Sequence, residues 1–346
     1  MDKTLTLVIP TYNMEAYLSH CLNSLIVSED LMSKLEVLVV NDGSKDRSSE
    51  IAHMFEQMYP QTFRVIDKEN GNYGSCINRG LAEAEGRYIK VLDADDWFDT
   101  TEFSNFLSEI EKTHVNMILS GFNIVKNETK EVSLAYQANV ENMKVLSFQH
   151  MDYDKLGVWM MHAVTYETDL LRSIHYHQTE GISYTDTEWT YIPLSSIDSF
   201  VFYKGPIYQY LIGREGQTMD GKVLLRSVNQ HEIIAKRLIE YVDNLPEEKK
   251  KGFAYLTIER QIQVLVELIY KTRLIKQNKD QYDYDNVKLS QFDHYLSEKR
   301  PQLFEDLNKL TIKDNIPLHY VKYWRKFGKR FPVDIPRDIY RKIKYR

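Results

Sequence analysis

Apolar residues in the first hundred positions of the chain follow two alternating spacings. Continuous apolar runs such as "TLTLVIP" and "LEVLVVND" are typical of parallel strands that are buried on both faces. Between these runs, residues such as Leu18, Cys21 and Leu25 recur every three or four positions, which is helical spacing. Two further runs, "FRVID" and "RYIKVLD", continue the alternation. We therefore predict an α/β fold with a doubly wound, mostly parallel, Rossmann-like sheet.

Polar segments follow each of the four predicted strands. In an open parallel sheet, ligands bind beyond the carboxyl ends of the strands, where the loops of neighbouring strands meet. The polar segments at these ends are residues 11–13, 41–44, 68–74 and 93–96. We expect them to form one ligand-binding rim.

The fourth strand, in "GRYIKVLDADDWFDT", ends in the three carboxylates Asp93, Asp95 and Asp96. Like charges this close repel and are costly to bury, so a bound cation is predicted. Two carboxylates one residue apart can flank an ion beside a diphosphate, and oxygen ligands suit Mg²⁺ or Mn²⁺. The alternative is that Asp96 or Asp99 only caps the helix that follows.

The rest of the chain divides into a mixed segment and a helical one. Strand and helix patterns continue to about residue 220, with less regular, antiparallel strands over 122–150. The segment "FVFYKGPIYQYLIGREGQTM" is typical of an edge strand followed by a charged loop. Apolar stripes then predict helices over 224–243, 253–276 and 290–309.

Composition and charge exclude several classes of protein. The chain is 43% hydrophobic, has two cysteines, and carries a net charge of −6, which argues against a nucleic-acid binder. No run of 18 apolar residues occurs and the first residues lack the apolar core of a signal peptide, so we expect a cytoplasmic protein. The absence of GxGxxG and GxxxxGK[ST] argues against dinucleotide oxidoreductases and P-loop proteins.

Positive charge is concentrated in residues 313–346, which hold eleven Lys or Arg against three Asp. Aromatic residues alternate with these cations, a pattern that suits an anionic membrane interface. The alternatives are a solvated arm or packing against the acidic body. The aromatic residues are Tyr320, Tyr323, Trp324, Phe327 and Phe331.

Several motifs together resemble the family 2 glycosyltransferases, which are inverting enzymes of the GT-A fold. They are "VIPTYNMEAYLSHCLNSL", "EVLVVNDGSKDRS", "NGNYGSCINRGLAEAEGRYIKVLDADDW", "ISYTDTEW" and "YLIGREGQTM". The resemblance covers roughly residues 4–220. It implies a nucleotide-sugar-binding catalytic domain over 1–220. The helical pattern and the charge distribution predict a helical C-terminal region over 221–312 and a basic aromatic tail over 313–346.

For the donor, the resemblance implies roles at the first strands. Asp42 resembles the aspartate that recognises the nucleotide base, and Thr11 and Tyr12 resemble the loop that flanks uracil. Asp95 is expected to hold the metal, with Asp93 near the ribose and diphosphate. Asn72 is expected to bind the nucleotide sugar, and Arg214 and Gln217 lie where the family has a flexible loop over the diphosphate.

For the acceptor, the resemblance implies that Asp186 in "YTDTEW" is the catalytic base. Thr185 departs from the family pattern, which usually has glutamate there, and Glu188 is an alternative base. Asp186 could also simply be the N-cap of the helix that follows.

The resemblance implies a metal-dependent, inverting transfer from a UDP-sugar to a hydroxyl of a glycan, lipid-linked or protein-linked acceptor, in cell-surface polysaccharide or glycoconjugate synthesis. One rival is a sugar-phosphate nucleotidyltransferase, but "IPTYNMEAY" lacks its glycine-rich loop with following Arg and Lys. The other is an inactive sugar-binding module, against which the intact Asp93, Asp95 and Asp186 argue. The sequence leaves homo-oligomerisation open.

Overall fold

A computed structural model describes residues 3–214, 227–276, 282–313 and 316–329 of the protein. The chain forms two compact units. The first comprises Met1–Gln217 and Leu245–Ile258, and the second comprises Thr218–Asn244 and Glu259–Arg346. The boundary at residue 220 predicted from the sequence lies outside the described residues, so the predicted domain limits stay predictions.

One mixed sheet organises the first unit, and ten of its strands lie in the described residues. Its main order is β3-β2-β1-β4-β9-β6-β10-β5, with β7 paired to β6 and β8 paired to β10. The strands are β1 Leu5–Thr11, β2 Leu35–Asn41, β3 Phe63–Asp67, β4 Tyr88–Val91, β5 Trp97–Phe98, β6 Met117–Lys126, β7 Val132–Tyr136, β8 Leu146–Ser147, β9 Val164–Glu167 and β10 Ser199–Ile212.

The first four strands are parallel, as their apolar runs predict. Strands β2 and β4 are buried along their whole length, and β1 is buried except at Pro10. β1 pairs with β2 on one side and with β4 on the other, so the strand order reverses at β1. This reversal creates the crevice in which ligands of such sheets bind, beyond the carboxyl ends of β1 and β4. The predicted doubly wound, mostly parallel fold is confirmed.

Helices connect the strands of the first unit. Their apolar faces supply buried side chains to the core, among them Leu18, Phe55, Ile77 and Phe103. The helices are α1 Leu18–Asn23, α2 Glu29–Ser33, α3 Ser48–Met58, α4 Asn72–Glu83, α5 Thr100–Glu111, α6 Tyr153–Leu156, α7 Thr168–Ser173 and α8 Asp186–Tyr191, with 3₁₀ turns at Phe148–His150, Met161–Ala163 and Ile192–Ser196.

Strand β10 is not the edge strand that its sequence predicts. It pairs in parallel with β6 along most of its length, and its other side is covered at the two ends by β8 and β5. The register shifts around Pro206, where proline cannot donate to the ladder. The two covering strands have only two residues each, which is too short to produce an alternating pattern in the sequence.

The later helices are α9 Val228–Asp243, α10 Gly252–Lys271, α11 Tyr282–Lys299, α12 Pro301–Asp306 and α13 Tyr320–Phe327. A 3₁₀ turn covers Glu247–Lys249, a π turn follows α10 at Thr272–Lys276, a second 3₁₀ turn covers Leu307–Lys309, and a hairpin joins β11 Thr311–Lys313 to β12 Ile316–His319. None of the helices described in the structure is long and apolar enough to cross a membrane.

The helix predicted over 290–309 is instead two helices that meet at Arg300. Pro301 lacks a backbone N–H and disfavours the helical conformation of the residue before it, and Arg300 accordingly has φ −139° and ψ 62°. The Arg300 guanidinium pairs with Asp243 of α9 at 2.6 Å. The break between the two helices therefore places the Arg300 guanidinium against α9.

The described part of the basic tail is packed into the second unit. Tyr320, Val321 and Trp324 of α13 are buried, and the Trp324 indole N–H donates to Asn286 Oδ1 at 2.6 Å. Arg325 pairs with Asp293 at 2.6 Å. Two of the aromatic residues proposed for a membrane interface thus belong to a protein core, while Phe331 lies outside the described residues.

Candidate active site

The carboxyl ends of the parallel strands meet in one cavity. The register places Thr11 beside Asn41 and Asn41 beside Asp67, so the loops that follow lie at one edge of the sheet. The cavity has a volume of about 460 Å³. Its lining residues are Tyr12, Asn41, Gly43, Lys45, Asp67, Lys68, Glu69 and Asn70.

The Asp42 carboxylate organises the loop beside this cavity. Its Oδ1 accepts from the Lys68 ammonium at 2.6 Å and from the Gly71 N–H at 2.9 Å, and its Oδ2 accepts from the Asn72 N–H at 2.9 Å. Asn72, with φ 68°, begins α4 immediately after the loop. The predicted nucleotide residues Asp42 and Asn72 are thus brought together, with Asp42 fixing the loop.

Thr11 and Tyr12 differ in what they present to the cavity. Thr11 is buried and its hydroxyl donates to the Ile9 carbonyl at 3.1 Å. The Tyr12 side chain is 46% exposed and lines the cavity. Tyr12 is therefore the member of the pair whose side chain is available to a ligand.

Two tyrosines, the half-buried Tyr73 and the buried Tyr208, hold the acidic turn that follows β4. The Tyr73 hydroxyl donates to Asp93 Oδ1 at 2.9 Å, and the Tyr208 hydroxyl donates to Asp96 Oδ2 at 2.7 Å. The Asp93 N–H donates to the Tyr208 hydroxyl at 3.2 Å, and the Leu211 N–H donates to Asp96 Oδ1 at 2.7 Å. The strand β10, which carries Tyr208 and Leu211, therefore fixes the shape of the turn.

Burial dominates the electrostatics of the turn. It raises the pKa of Asp93 and of Asp96, and the negative charge of Asp95 raises both further. Neither Asp93 nor Asp96 forms an ion pair with a cation among the described residues. A bound cation would relieve this conflict, as the sequence predicts.

Asp95 has a different environment, because its carboxylate is ion-paired with the Arg214 guanidinium. The same guanidinium lies 5.7 Å from the centre of the Tyr17 ring. The structure thus brings together two predicted site residues, Asp95 and Arg214. Gln217, the third predicted residue of this set, lies outside the described residues.

Capping does not explain the acidic turn. The N-cap of α5 is Asp99, whose side chain accepts from the Glu102 N–H at 2.9 Å. Asp96 is instead hydrogen-bonded to β10. The carboxylates of Asp93, Asp95 and Asp96 are therefore not used to begin this helix.

Asp186 faces the same site. It is the first residue of α8, whose N-cap is Thr185, so the N-cap alternative does not describe it. Burial raises its pKa. Its negative charge also contributes to the raised pKa of Asp93, after burial and the charge of Asp95. The carboxyl of Asp186 therefore lies close enough to the acidic turn to affect the pKa of Asp93.

Glu188 has a structural role in holding a loop. It is fully buried, and its carboxylate accepts from the N–H and the hydroxyl of Thr179, both at 2.7 Å. This loop approaches α4 so closely that a Cβ on Gly74 would lie 2.0 Å from the Thr179 carbonyl oxygen. Only glycine permits that approach.

A buried lysine and histidine, which sequence reasoning missed, complete the site. The Lys90 ammonium donates to the carbonyls of His162 at 2.7 Å and Val164 at 3.1 Å. Burial lowers the pKa of Lys90 to about 7 and, together with the charge of Lys90, lowers the pKa of His162 to about 3. A lone histidine in "VWMMHA" has no motif around it, so no sequence signal marks it.

The sequence of this part of the chain matches a known protein family. Residues 6–171 match the model of "Glycosyl transferase family 2". This segment is a family 2 glycosyltransferase domain.

Curated relatives match the glycosyltransferase domain over part of their length. An "Uncharacterized glycosyltransferase MG025 homolog" of Mycoplasma pneumoniae is 37% identical over 119 residues, which are 34% of this chain and 38% of that protein. The "Minor teichoic acid biosynthesis protein GgaB" of Bacillus subtilis is 26% identical over 250 residues, 69% of this chain and 27% of that protein. The chain thus spans about a third of the relatives that it matches.

Solved structures share the fold of the glycosyltransferase domain. Staphylococcus aureus TarS 1–349 in complex with UDP-GlcNAc has a TM-score of 0.63 and 18% identity, covering 87% of this chain and 82% of that chain. A Pyrobaculum calidifontis mannosyltransferase in complex with GDP-Man and Mn²⁺ has a TM-score of 0.51 and 11% identity, covering 88% and 83%. At these identities the likeness concerns the fold alone, and the expected GT-A fold is confirmed.

We predict that Tyr208→Phe destabilises the glycosyltransferase domain by about 1–3 kcal/mol, because a buried carboxyl loses its donor. Urea unfolding followed by fluorescence measures this. Tyr136→Phe is the matched control, since the buried Tyr136 hydroxyl has no hydrogen-bond partner within the described ranges. Equal losses of stability in the two variants would contradict the role assigned to Tyr208.

Proposed function

We propose that the protein is a metal-dependent, inverting glycosyltransferase that moves a sugar from a UDP-sugar to an acceptor hydroxyl. The observation that carries this proposal is a largely buried acidic turn, Asp93 to Asp96, beside a further half-buried carboxyl, Asp186. The turn offers negative charge for a cation and a diphosphate, and Asp186 offers a proton acceptor. The family of the domain supports the same reaction.

The nucleoside of the donor is proposed to bind in the cavity beyond β1 to β3. Tyr12 supplies an exposed ring there, and Asp42 shapes the adjoining loop. Lys45 in the lining supplies positive charge for a phosphate, whereas the Lys68 ammonium is paired with Asp42. The complexes of TarS with UDP and with UDP-GlcNAc support a uridine nucleotide.

The divalent ion is proposed to be Mn²⁺ or Mg²⁺, held at the acidic turn with Asp95 as a ligand. Carboxylates raised in pKa by burial and mutual repulsion fit such an ion. When bound, the ion would supply positive charge against the leaving diphosphate. Because Arg214 is paired with Asp95, we propose that Arg214 transfers to the diphosphate when donor and ion bind. Gln217 stays a predicted donor contact.

Asp186 is proposed to accept the proton of the acceptor hydroxyl. A base works best when its pKa lies near the working pH, and burial moves the pKa of Asp186 in that direction. The hydroxyl oxygen then forms the new bond to the sugar carbon as the bond to the diphosphate breaks. One displacement of this kind inverts the configuration and needs no nucleophile from the protein.

The two rivals lack supporting observations. A sugar-phosphate nucleotidyltransferase has no need for a buried base on the acceptor side. An inactive sugar-binding module has no need for carboxyls that burial and repulsion make costly, such as Asp93, Asp96 and Asp186. A panel of UDP-, GDP- and TDP-sugars, assayed for release of the nucleoside diphosphate from each donor, separates the three functions.

We predict that Asp95→Asn loses metal-dependent nucleotide binding while it keeps the fold. Calorimetric titration with UDP in the presence of Mn²⁺ measures this, and the affinity is expected to fall by roughly tenfold or more. Asp99→Asn is the matched control, because asparagine also caps helices well and Asp99 lies outside the turn. Unchanged affinity in Asp95→Asn would overturn the metal assignment.

We predict that Asp186→Asn lowers turnover by roughly 10²-fold or more, because it removes the proton acceptor. Its affinity for UDP and its thermal unfolding midpoint should stay close to those of the wild type. Glu188→Gln should instead lower the unfolding midpoint, since an amide cannot accept both hydrogen bonds from Thr179. If Glu188→Gln abolishes turnover at unchanged stability while Asp186→Asn stays active, Glu188 is the base.

The acceptor is proposed to be a glycan, lipid-linked or protein-linked molecule used in cell-surface polymer synthesis. The name of GgaB, a teichoic acid biosynthesis protein, supports this class. A lipid-linked acceptor would require the enzyme to meet the cytoplasmic face of a membrane. The outward side of α13 suits such contact, because Lys322, Lys326 and Phe327 are exposed there. We define these three residues as the basic face.

We predict that reversing charge on the basic face with Lys322→Glu and Lys326→Glu releases the protein from anionic vesicles. Each cation near such a surface contributes about 1 kcal/mol, so a shift of four charge units should abolish co-sedimentation at low salt. Lys271→Glu with Lys299→Glu, at exposed positions, is the control of equal charge. Truncation before α13 is unsuitable because Trp324 is part of a core. Wild-type protein that ignores these vesicles would indicate a soluble acceptor.

A further inference from the structure

We infer that His162, together with Asp93 and Asp96, binds the divalent ion and that its ring nitrogen selects Mn²⁺ over Mg²⁺. This inference rests on the proposed function, because it concerns the ion of the same site. It adds His162, Asp93 and Asp96 as ligands of the ion, besides Asp95, which is the metal ligand that the family resemblance implies.

The three residues converge from two neighbouring elements. One possible ligand atom from each of Asp93, Asp96 and His162 lies within 4.8 Å of the others. Ligand atoms about 2.2 Å from a shared ion lie at most about 4.4 Å apart, so adjustments of a few tenths of an ångström are sufficient. Asp93 and Asp96 follow β4, and His162 lies just before its antiparallel neighbour β9. The sheet itself thus sets their separation.

His162 carries an unsatisfied buried nitrogen. His162 is only 3% exposed. Its Nδ1 has no hydrogen-bond partner within the part of the chain that the structure describes. An unpaired buried polar atom costs free energy, so such atoms are rare without a function. A metal ion would satisfy this nitrogen.

The surroundings of His162 hold the ring in place. Lys90 fixes the His162 carbonyl, as described above, and the ring stacks on Tyr210 with centroids 4.2 Å apart. Tyr208 meets the ring edge-on at 4.7 Å, and the same tyrosine donates to Asp96. One residue therefore contacts two of the three proposed ligands. Metal ligands are typically oriented by such surrounding contacts.

The acidic partners retain the capacity to bind an ion. Each oxygen of Asp96 accepts one hydrogen bond, from Tyr208 or from Leu211, and a carboxylate oxygen has a second lone pair. Asp95 differs because Arg214 already neutralises it. The carboxylates without a paired cation are thus Asp93 and Asp96, which lie with His162. Asp95 joins them as a ligand once Arg214 has transferred to the diphosphate.

A nitrogen ligand changes which ion the site prefers. Mg²⁺ is held by carboxylates, phosphates and water in octahedral geometry, whereas imidazole suits transition-metal ions. A site that adds one imidazole to its carboxylates therefore favours Mn²⁺ between the two proposed ions. Without His162 the site would keep oxygen ligands alone.

Pulsed electron paramagnetic resonance of Mn²⁺ bound to the full chain tests the inference directly. A bound imidazole gives nitrogen modulation of the Mn²⁺ echo, which we expect in the wild type and expect to change when histidine is labelled with ¹⁵N. His162→Gln should remove the modulation, and His150→Gln, at an exposed histidine, should keep it. Wild-type protein that binds Mn²⁺ without nitrogen modulation would overturn the inference, whether or not His162→Gln folds.

Calorimetry separates this inference from the proposed function. We expect His162→Gln to weaken Mn²⁺ binding by about tenfold or more and Mg²⁺ binding by much less, at an unfolding midpoint checked by circular dichroism. If UDP binds with Mn²⁺ and both affinities are unchanged in His162→Gln, only the inference fails. If the wild type binds neither Mn²⁺ nor UDP, both fail.

Discussion

Negative charge buried at the end of β4 is the constraint to which the surrounding structure responds. Asp96 is buried, Asp93 is half-buried, both lie close to Asp95, and each is held by a tyrosine hydroxyl. Tyr73 reaches the turn from the start of α4, and Tyr208 reaches it from β10. Side chains from elements far apart in the chain therefore donate hydrogen bonds to neighbouring carboxylates of one turn.

Much of this arrangement follows from local sequence. The apolar runs that form β1 to β4 predict parallel strands, and parallel strands bring their carboxyl ends to one edge. The acids of the "DAD" segment then lie at that edge. Their role as a cation site stays a prediction, which rests on the cost of bringing like charges together in a buried turn.

Other features could not be predicted, and each has a physical reason. His162 and Tyr208 become site residues only through the pairing of β9 with β4 and of β10 with β6, which no local pattern encodes. The two short strands β5 and β8 leave no periodicity, so β10 has the sequence of an edge strand. Trp324 resembles an interfacial aromatic residue in the sequence, yet its indole is buried and bonded to Asn286. Burial of this kind depends on which helix lies opposite.

The close approach of Gly74 to the Thr179 carbonyl holds α4 against the loop that precedes α8. Two hydrogen bonds join Asn78 of α4 to Gln178. The Asn78 Nδ2 donates to the Gln178 carbonyl at 2.9 Å, and the Gln178 N–H donates to Asn78 Oδ1 at 2.8 Å. Farther along, Gly181 donates to the Gly71 carbonyl at 3.0 Å. The helix that begins at the nucleotide-side loop and the segment that leads into Asp186 are therefore joined backbone to backbone. Because main-chain atoms make this contact, the distance between the two segments depends little on the length of any side chain.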